Sequence, residues 1–289
     1  MRYVLNAIGP DVTAAFGTAY LPDNGVPRVL SSDSAFEISF DGDPAKALQQ
    51  ARRFNAGRDI DVNVVPTENR RKTLLIADMD STIIGCECLD ELADMAGFKP
   101  QVSAITERAM RGEIAFEVAL RERVALLKGL SLDALERTLR ERVQLNPGAR
   151  ALVATMKAHG ATTMLVSGGF TYFTSFVARD VGFDAHQANT LLHDGEALTG
   201  EVAEPILGRE AKLAALEKAV ADLGITYDDV LAVGDGANDL AMIARAGLGV
   251  AWHAKPIVAD AAGARIDYAD LRSLLYLQGY SDDEIVSGN

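Results

Sequence analysis

Ile76-Ala77-Asp78-Met79-Asp80-Ser81-Thr82 closes the apolar run Thr73-Leu74-Leu75-Ile76-Ala77 with two carboxylates two residues apart. The run is short and aliphatic, which predicts a buried strand. Strand side chains alternate between faces, so Asp78 and Asp80 would share a face if the strand continued. Open parallel sheets bind ligands just outside the carboxyl ends of their strands. Two anions placed side by side there repel each other unless a cation neutralises them, so the pair asks for Mg2+. Mn2+ suits the same oxygen donors.

Strands and helices alternate on both sides of a helical interruption. After the Asp78 strand, helical segments at Leu89–Ala96, Gln101–Met110, Ile114–Leu127 and Leu132–Val143 are separated by Gly97, Gly112 and Gly129, and Pro147-Gly148 closes the series. Short glycine-marked joints predict antiparallel helices packed as a bundle. The alternation resumes with a helix at Ala149–Ala158, a strand at Thr162–Val166 and a helix at Tyr172–Asp180. Ala188–Leu192 and Ala197–Val202, around Asp194-Gly195, read as a β-hairpin. A helix at Glu210–Leu223, a strand at Val230–Val233 and a helix at Asp239–Ala246 follow, then short strands at Gly249–Trp252 and Arg265–Tyr268. The fold class is therefore α/β: a Rossmann-like parallel sheet, residues 71–289, with a helical-bundle cap inserted after its first strand at about 87–144.

Residues 1–70 read as a separate small α+β module. Strands are expected at Arg2–Ile8, Ala35–Phe40 and Ile60–Val65. A helix at Ala45–Phe54 has Asp43 as N-cap and Pro44 in its first turn. Asn69-Arg70-Arg71-Lys72 is a polar linker. The module faintly resembles a degenerate ACT-type unit, which leaves open a ligand sensor or an appendage that joins two copies as a homodimer.

Composition narrows the partners. The 289 residues are 48% hydrophobic, enough for a sizeable core. A net charge of −13 opposes binding to nucleic acid or an anionic membrane. An anionic substrate would thus need a local cluster of metal, Lys and Arg. No apolar run approaches the roughly 20 residues of a membrane span, and Met1–Ile8 soon reaches Gly9-Pro10-Asp11 without a long apolar stretch. A cytoplasmic location is expected. Cys86 and Cys88 are too few and too close for an ordinary disulfide or a zinc set, and are expected to pack near a helix start.

Three further places carry chemistry. Ser167-Gly168-Gly169 follows a strand and lets a ligand approach the backbone beside the next helix N-terminus. Lys212 lies near the start of a helix. Gly234-Asp235-Gly236-Ala237-Asn238-Asp239 offers oxygen ligands for a hard cation after another strand. Each signal is weak alone. In this order Asp78-x-Asp80-x-Thr82, Ser167-Gly168, Lys212 and Gly234-Asp235-x-x-Asn238-Asp239 resemble the haloacid-dehalogenase-like phosphohydrolases. Glu87, Asp90-Glu91, Gly169-Phe170 and Leu240 extend the likeness to the phosphoserine phosphatase family, over about residues 73–276.

The resemblance implies a Mg2+-dependent hydrolysis of phosphoserine to serine and phosphate through an aspartyl-phosphate, the last step of serine biosynthesis. Asp78 would be the nucleophile and Asp80 the general acid, then base. The metal would be held by Asp78, the backbone carbonyl of Asp80, and Asp235. Ser167, Gly168 and Lys212 would hold the phosphoryl oxygens, with Gly169 supporting that turn and Asn238 contacting the substrate region. Asp239 would support Lys212 or the surroundings of the metal, and Thr82 would shape its turn by hydrogen bonding. In the cap, Glu87 would pair with the substrate ammonium and Arg123 with its carboxylate. Met110 and Phe116 would form the apolar wall.

Two other readings stand beside this one. One is a lidded phosphatase for another small phosphomonoester, such as phosphothreonine or a phosphorylated sugar or alcohol; a sugar phosphate has no amino-acid headgroup to satisfy both Glu87 and Arg123. A regulatory protein with an inactive body would not need both Asp78 and Asp80.

Overall fold

The computed structural model describes residues 2–10, 12, 25–32, 34–111 and 113–288, with the backbone alone at Met110. The N-terminal module contains β1 (Arg2–Ile8), β2 (Val26–Ser31), β3 (Ala35–Asp41), helix α1 (Pro44–Phe54) and β4 (Asp61–Pro66). Its sheet is antiparallel, in the order β2-β3-β1-β4. Asp43 caps α1 as expected, its Oδ1 accepting from the amides of Ala45 at 2.9 Å and Lys46 at 3.2 Å. The sequence reading misses β2. Val-Pro-Arg-Val exposes four residues in a row, so it lacks a period-2 pattern, and Pro27 argues against a strand. Proline is tolerated because β2 is an edge strand, where one row of backbone donors goes unpaired anyway.

The larger sheet contains β5 (Leu74–Asp78), β6 (Thr162–Phe170), β7 (Ala185–Asn189), β10 (Val230–Gly234), β11 (Leu248–Trp252) and β12 (Ala264–Ile266). All neighbours are parallel, in the order β12-β11-β10-β5-β6-β7. β5 is buried throughout because both faces are covered. Leu74 and Ile76 pack with Leu216 and Val220, while Leu75 and Ala77 join the main core with Leu152 and Phe173. The chain runs from β5 outward to β6 and β7, then returns to the other side of β5 as β10. That reversal opens a crevice at the carboxyl ends of β5 and β10.

The inserted cap is built from α2 (Cys88–Met95), α3 (Lys99–Met110), α4 (Phe116–Ala125) and α5 (Leu132–Glu141). Its two connections run side by side: Gly85 N donates to Gln144 O at 3.0 Å and Asn146 N to Ile83 O at 2.9 Å. Around the sheet lie α6 (Ala149–Ala158), α7 (Thr171–Val181), α8 (Arg209–Leu223), α9 (Leu240–Arg245), α10 (Pro256–Ala261) and α11 (Ser273–Leu277). The expected hairpin is corrected. Ala188 and Asn189 belong to β7 of the large sheet, where Asn189 pairs with Phe170 beyond a bulge. The hairpin itself is β8 (Leu191–His193) with β9 (Leu198–Val202), and Asp194 shapes its turn by accepting from the amides of Glu196 and Ala197.

Polar contacts fasten the N-terminal module to the outer strand of the large sheet. The buried Asp61 carboxylate accepts from the amides of Asp267 at 2.7 Å, Tyr268 at 3.2 Å and Ala269 at 2.9 Å. Asn63 exchanges two hydrogen bonds with the Arg265 backbone. Arg70 donates to Glu37 at 2.8 Å and to the Leu277 carbonyl at 3.0 Å. The expected strand at Arg265–Tyr268 therefore ends at Ile266, because the next three amides turn toward Asp61.

Asp61→Ala should destabilise the chain by about 3 kcal/mol, since three amides lose a charged acceptor inside the interface. Denaturant unfolding measures it, and a change under about 0.5 kcal/mol, the usual range for surface substitutions, would remove Asp61 from the fastening.

Candidate active site

Strand register sets the first layer of the site. Asp78 pairs with Val166 in β6, and Ala77 pairs with Val233 in β10. Ser167 and Asp235 thus each fall one register step beyond Asp78, on the strands to either side of it. The strand does not continue to Asp80 as expected. It ends at Asp78, and Met79–Ile83 forms a tight π-type turn with Ser81 at φ 55°. The turn, not strand alternation, brings the Asp80 carboxylate to the crevice. There Asp80 Oδ2 accepts from Ser167 Oγ at 2.8 Å, and Oδ1 accepts from the Cys88 amide at 2.9 Å.

Lys212 ties the layer together. Its Nζ lies 2.6 Å from Asp78 Oδ1 and 2.6 Å from Asp239 Oδ1. All three side chains are buried. Burial works against the ammonium charge, but Asp239 and Asp78 overcome it and hold Lys212 above its ordinary range. Burial, then the Asp239 charge, pushes the Asp78 carboxyl well above the usual carboxylate range, with Lys212 pulling the other way. Burial and Asp239 likewise raise Asp235.

Carboxylate oxygens of Asp78, Asp235 and Asp239 lie within 4.8 Å of one another, a hard-donor cluster that fits a divalent cation. Asp78 and Asp235 are the two carboxylates expected to face a metal, with Asp80 expected to offer its backbone carbonyl; the Asp80 carboxylate itself is engaged by Ser167 and the Cys88 amide, and Asp239 lies within the same cluster. Two glycines make the tight loop possible: a Cβ at Gly234 would sit 2.4 Å from Asp239 Cγ, and one at Gly236 would sit 2.3 Å from Asn238 Oδ1. Asn238 therefore folds over its own loop.

The Ser167 turn is held from within, Gly169 N donating to Ser167 Oγ at 2.8 Å. Gly168 is open on one side, where the Phe116 ring of the cap lies 3.5 Å from the place a Cβ would occupy. Phe116, expected in the apolar wall of the cap, here lies against the Gly168 loop, and the Met110 side chain lies outside the described residues. Glu87 ends the loop before α2, and its Oε1 accepts from Ser81 Oγ at 2.7 Å. Crowding by protein, then the Asp80 charge, pushes its carboxyl up to about 7. Arg123 points from α4, its guanidinium donating to Ala119 O at 3.2 Å and reaching Thr106 Oγ1 at 3.5 Å. It is half-buried, and among the described residues it has no ion-pair partner.

Thr82 departs from expectation. Its buried hydroxyl has no hydrogen-bond partner among the described residues, and the turn is instead held through its carbonyl, which accepts from Asn146 Nδ2 at 2.7 Å. Cys88 packs in the core as expected and adds an amide to Asp80. Its thiol is pushed up by contact with the Cys86 sulfur and by burial. The sequence reading missed Asn146 and Asn189, which act through backbone contacts that no motif announces.

A family model described as haloacid dehalogenase-like hydrolase matches residues 75–244. A phosphoserine phosphatase of Archaeoglobus fulgidus is 43% identical over 234 residues, covering 80% of this chain and 68% of that one. A haloacid-dehalogenase-family hydrolase from Salmonella enterica serovar Typhi superposes with a TM-score of 0.86 at 28% identity, covering 96% of this chain and 98% of its own. A phospho-aspartyl intermediate analogue of phosphoserine phosphatase superposes with a TM-score of 0.66 at 40% identity, covering 71% of this chain and 98% of its own. No helix among the described residues is long and apolar enough to cross a membrane.

Lys212→Met leaves Asp78 and Asp239 facing each other without their shared cation. The metal-free variant should lose about 3–5 kcal/mol, read by denaturant unfolding. Added divalent cation should recover more stability in the variant than in the parent. Equal recovery in both would show that the ion does not bind at this cluster.

Proposed function

The chain belongs to the haloacid dehalogenase-like hydrolases, and from that premise we propose how its site hydrolyses phosphoserine to serine and phosphate. An Asp78 oxygen attacks phosphorus, the bond to the serine oxygen breaks, and Asp80 gives that oxygen its proton. The product is an aspartyl-phosphate on Asp78. Asp80 then takes a proton from water, the water oxygen attacks phosphorus, and the bond to Asp78 breaks to release phosphate. The hydrogen bonds from Ser167 and the Cys88 amide hold Asp80 in place for both steps.

Lys212, Ser167 and the Gly168 amide are the groups that take the phosphoryl oxygens, a use of charge and fixed donors that phosphoryl transfer depends on. Mg2+ is the ion we propose for the acidic cluster, held by Asp78, Asp235 and the Asp80 carbonyl, with Asp239 beside them. When bound it would supply the charge that lets an anionic phosphate approach an anionic nucleophile. Asn238 borders the substrate region, and Gly169 and Thr82 keep their turns in shape.

One observation carries the substrate reading: the cap holds a half-buried guanidinium, Arg123, without an anionic partner among the described residues, across from Glu87. Burial lowers its pKa, and the charges of Asp90 and Glu87 oppose that shift. A phosphoserine carboxylate completes Arg123 with a bidentate pair, and its ammonium favours the ionised form of Glu87. The Phe116 ring over Gly168 shields the reacting end from solvent.

Asp78→Asn should abolish phosphate release from phosphoserine while the unfolding midpoint stays within a few degrees of the parent. Appreciable turnover by the purified variant would take the nucleophile role away from Asp78. The parent should release phosphate from phosphoserine in preference to phosphoethanolamine, a sugar phosphate or an aryl phosphate, and EDTA should stop it. Arg123→Ala should lower kcat/KM for phosphoserine by about 100-fold or more, as loss of a charged buried contact does, and leave an aryl phosphate nearly unaffected. Equal losses on both substrates would refute the headgroup role.

A further inference from the structure

Asn189 is 2% exposed although it ends β7, the outer strand of the large sheet, where an amide would ordinarily face water. Its side chain makes three hydrogen bonds. Nδ2 donates to Gly168 O at 2.9 Å and to Leu207 O at 3.2 Å, and Oδ1 accepts from Leu207 N at 2.7 Å. The two loops it joins carry opposite sides of the phosphoryl site. Gly168 follows Ser167, and Leu207 immediately precedes Gly208, the N-cap of α8, whose first turn carries Lys212.

The Gly168–Gly169 peptide is held at both ends. Its carbonyl accepts from Asn189, and its N–H donates to Ser167 Oγ, which in turn donates to Asp80 Oδ2. Two glycines in sequence have wide backbone freedom, so without the Asn189 amide this peptide is free to rotate and take the Ser167 hydroxyl with it. Among side chains of this length, only asparagine offers both donors and an acceptor in this geometry.

We propose, resting on the phosphatase reading above, that Asn189 is a positioning residue: it sets the Ser167-Gly168 donors at a fixed distance from Lys212, so that both sides grip one phosphoryl group. It touches no reacting atom. Its effect reaches the substrate only through the phosphate and not through the amino-acid headgroup, which Glu87 and Arg123 hold from the cap.

That separation provides the test. Asn189→Asp keeps the shape and the acceptor for Leu207 N but sets a carboxylate against two carbonyls. Asn189→Ala removes all three bonds without adding charge, and serves if the first variant does not fold. Both are compared with the parent, with Mg2+ present, in phosphoserine turnover and in competitive inhibition by two probes, inorganic phosphate and L-serine. Calorimetric titration with inorganic phosphate runs alongside.

Phosphate affinity and kcat should each fall between about 10-fold and 100-fold, while the inhibition constant for L-serine stays within about twofold, inside the scatter of a single context-dependent contact. A merely structural weakening would move both probes together, and that outcome overturns the proposal. So does unchanged phosphate affinity in a folded variant. If the parent itself fails to turn over phosphoserine, the substrate assignment falls separately, and the phosphate titration still decides the role of Asn189.

Discussion

Three carboxylates and one ammonium share a space from which water is largely excluded. Lys212 sits between Asp78 and Asp239, and Asp235 completes the acidic cluster. One cation cannot balance three anions; burial first, and the neighbouring Asp239 charge second, raise the carboxyls of Asp78 and Asp235. Much of the surrounding architecture maintains this crowding. The parallel register sets Ser167 and Asp235 one step beyond Asp78 on the flanking strands, and the glycines at 234 and 236 give Asp239 and Asn238 room. Apolar packing on both faces of β5 makes the arrangement too stiff to relax by spreading the charges apart. A site built this way favours a divalent cation. The same crowding would be a stability defect anywhere else.

The N-terminal module meets this core through polar contacts aimed at backbone. Asp61 takes three consecutive amides, Asn63 pairs with the Arg265 backbone as a neighbouring strand would, and Arg70 reaches the Leu277 carbonyl. Such contacts satisfy groups at the outer edge of the parallel sheet that would otherwise be open to another chain. They also fix the loop after β12. His253 N donates to Ile266 O, and Lys255 N in the same loop donates to Asp235 O. The module is therefore part of the frame around the acidic cluster, a role that its weak ACT-like pattern does not suggest.

Legibility in the sequence follows the range of the interactions. Asp78 and Asp235 follow short apolar runs and Lys212 lies near the start of a helix, so their place in an α/β fold can be read from local pattern, whereas the strand expected to stop before Ser167 runs on to Phe170. Asp80 was placed on the right side for the wrong reason, because a π-type turn replaces the strand that alternation assumed. Asp239 read as a supporting residue, and its place in the cluster depends on Gly234 lacking a Cβ, which would sit 2.4 Å from Asp239 Cγ. The Thr82 hydroxyl was expected to bond, yet Asn146, more than sixty residues away, holds the turn through the carbonyl. β2 was hidden by Pro27 and by its exposure. β7 was merged with the hairpin because Asn189 follows Ala188 with no break in composition. Tertiary partners decide each of these cases, and local pattern does not contain them.

The cap poses a different constraint from the core. Arg123 is a half-buried guanidinium without an ion-pair partner among the described residues, and leaving it so costs free energy in the folded protein. Burial disfavours its charge, and only Asp90 and Glu87 offset that from a distance. Neighbouring arginines show the ordinary solution: Arg108 pairs with Glu122 and Arg121 with Glu204. The Arg121 contact also joins the cap to the segment after β9, and Leu198 N bonds to Leu130 O in the joint before α5. These contacts hold the cap against the core while Arg123 stays available to a ligand. On the proposed reading, cap docking and headgroup recognition draw on different residues of the same helix, and a substrate of the wrong headgroup would leave Arg123 unsatisfied even in a closed cap. On that reading the unsatisfied charge would discriminate against the wrong substrate more strongly than a missing contact would, because a desolvated charge left without a counter-ion costs more than a formed bond gains.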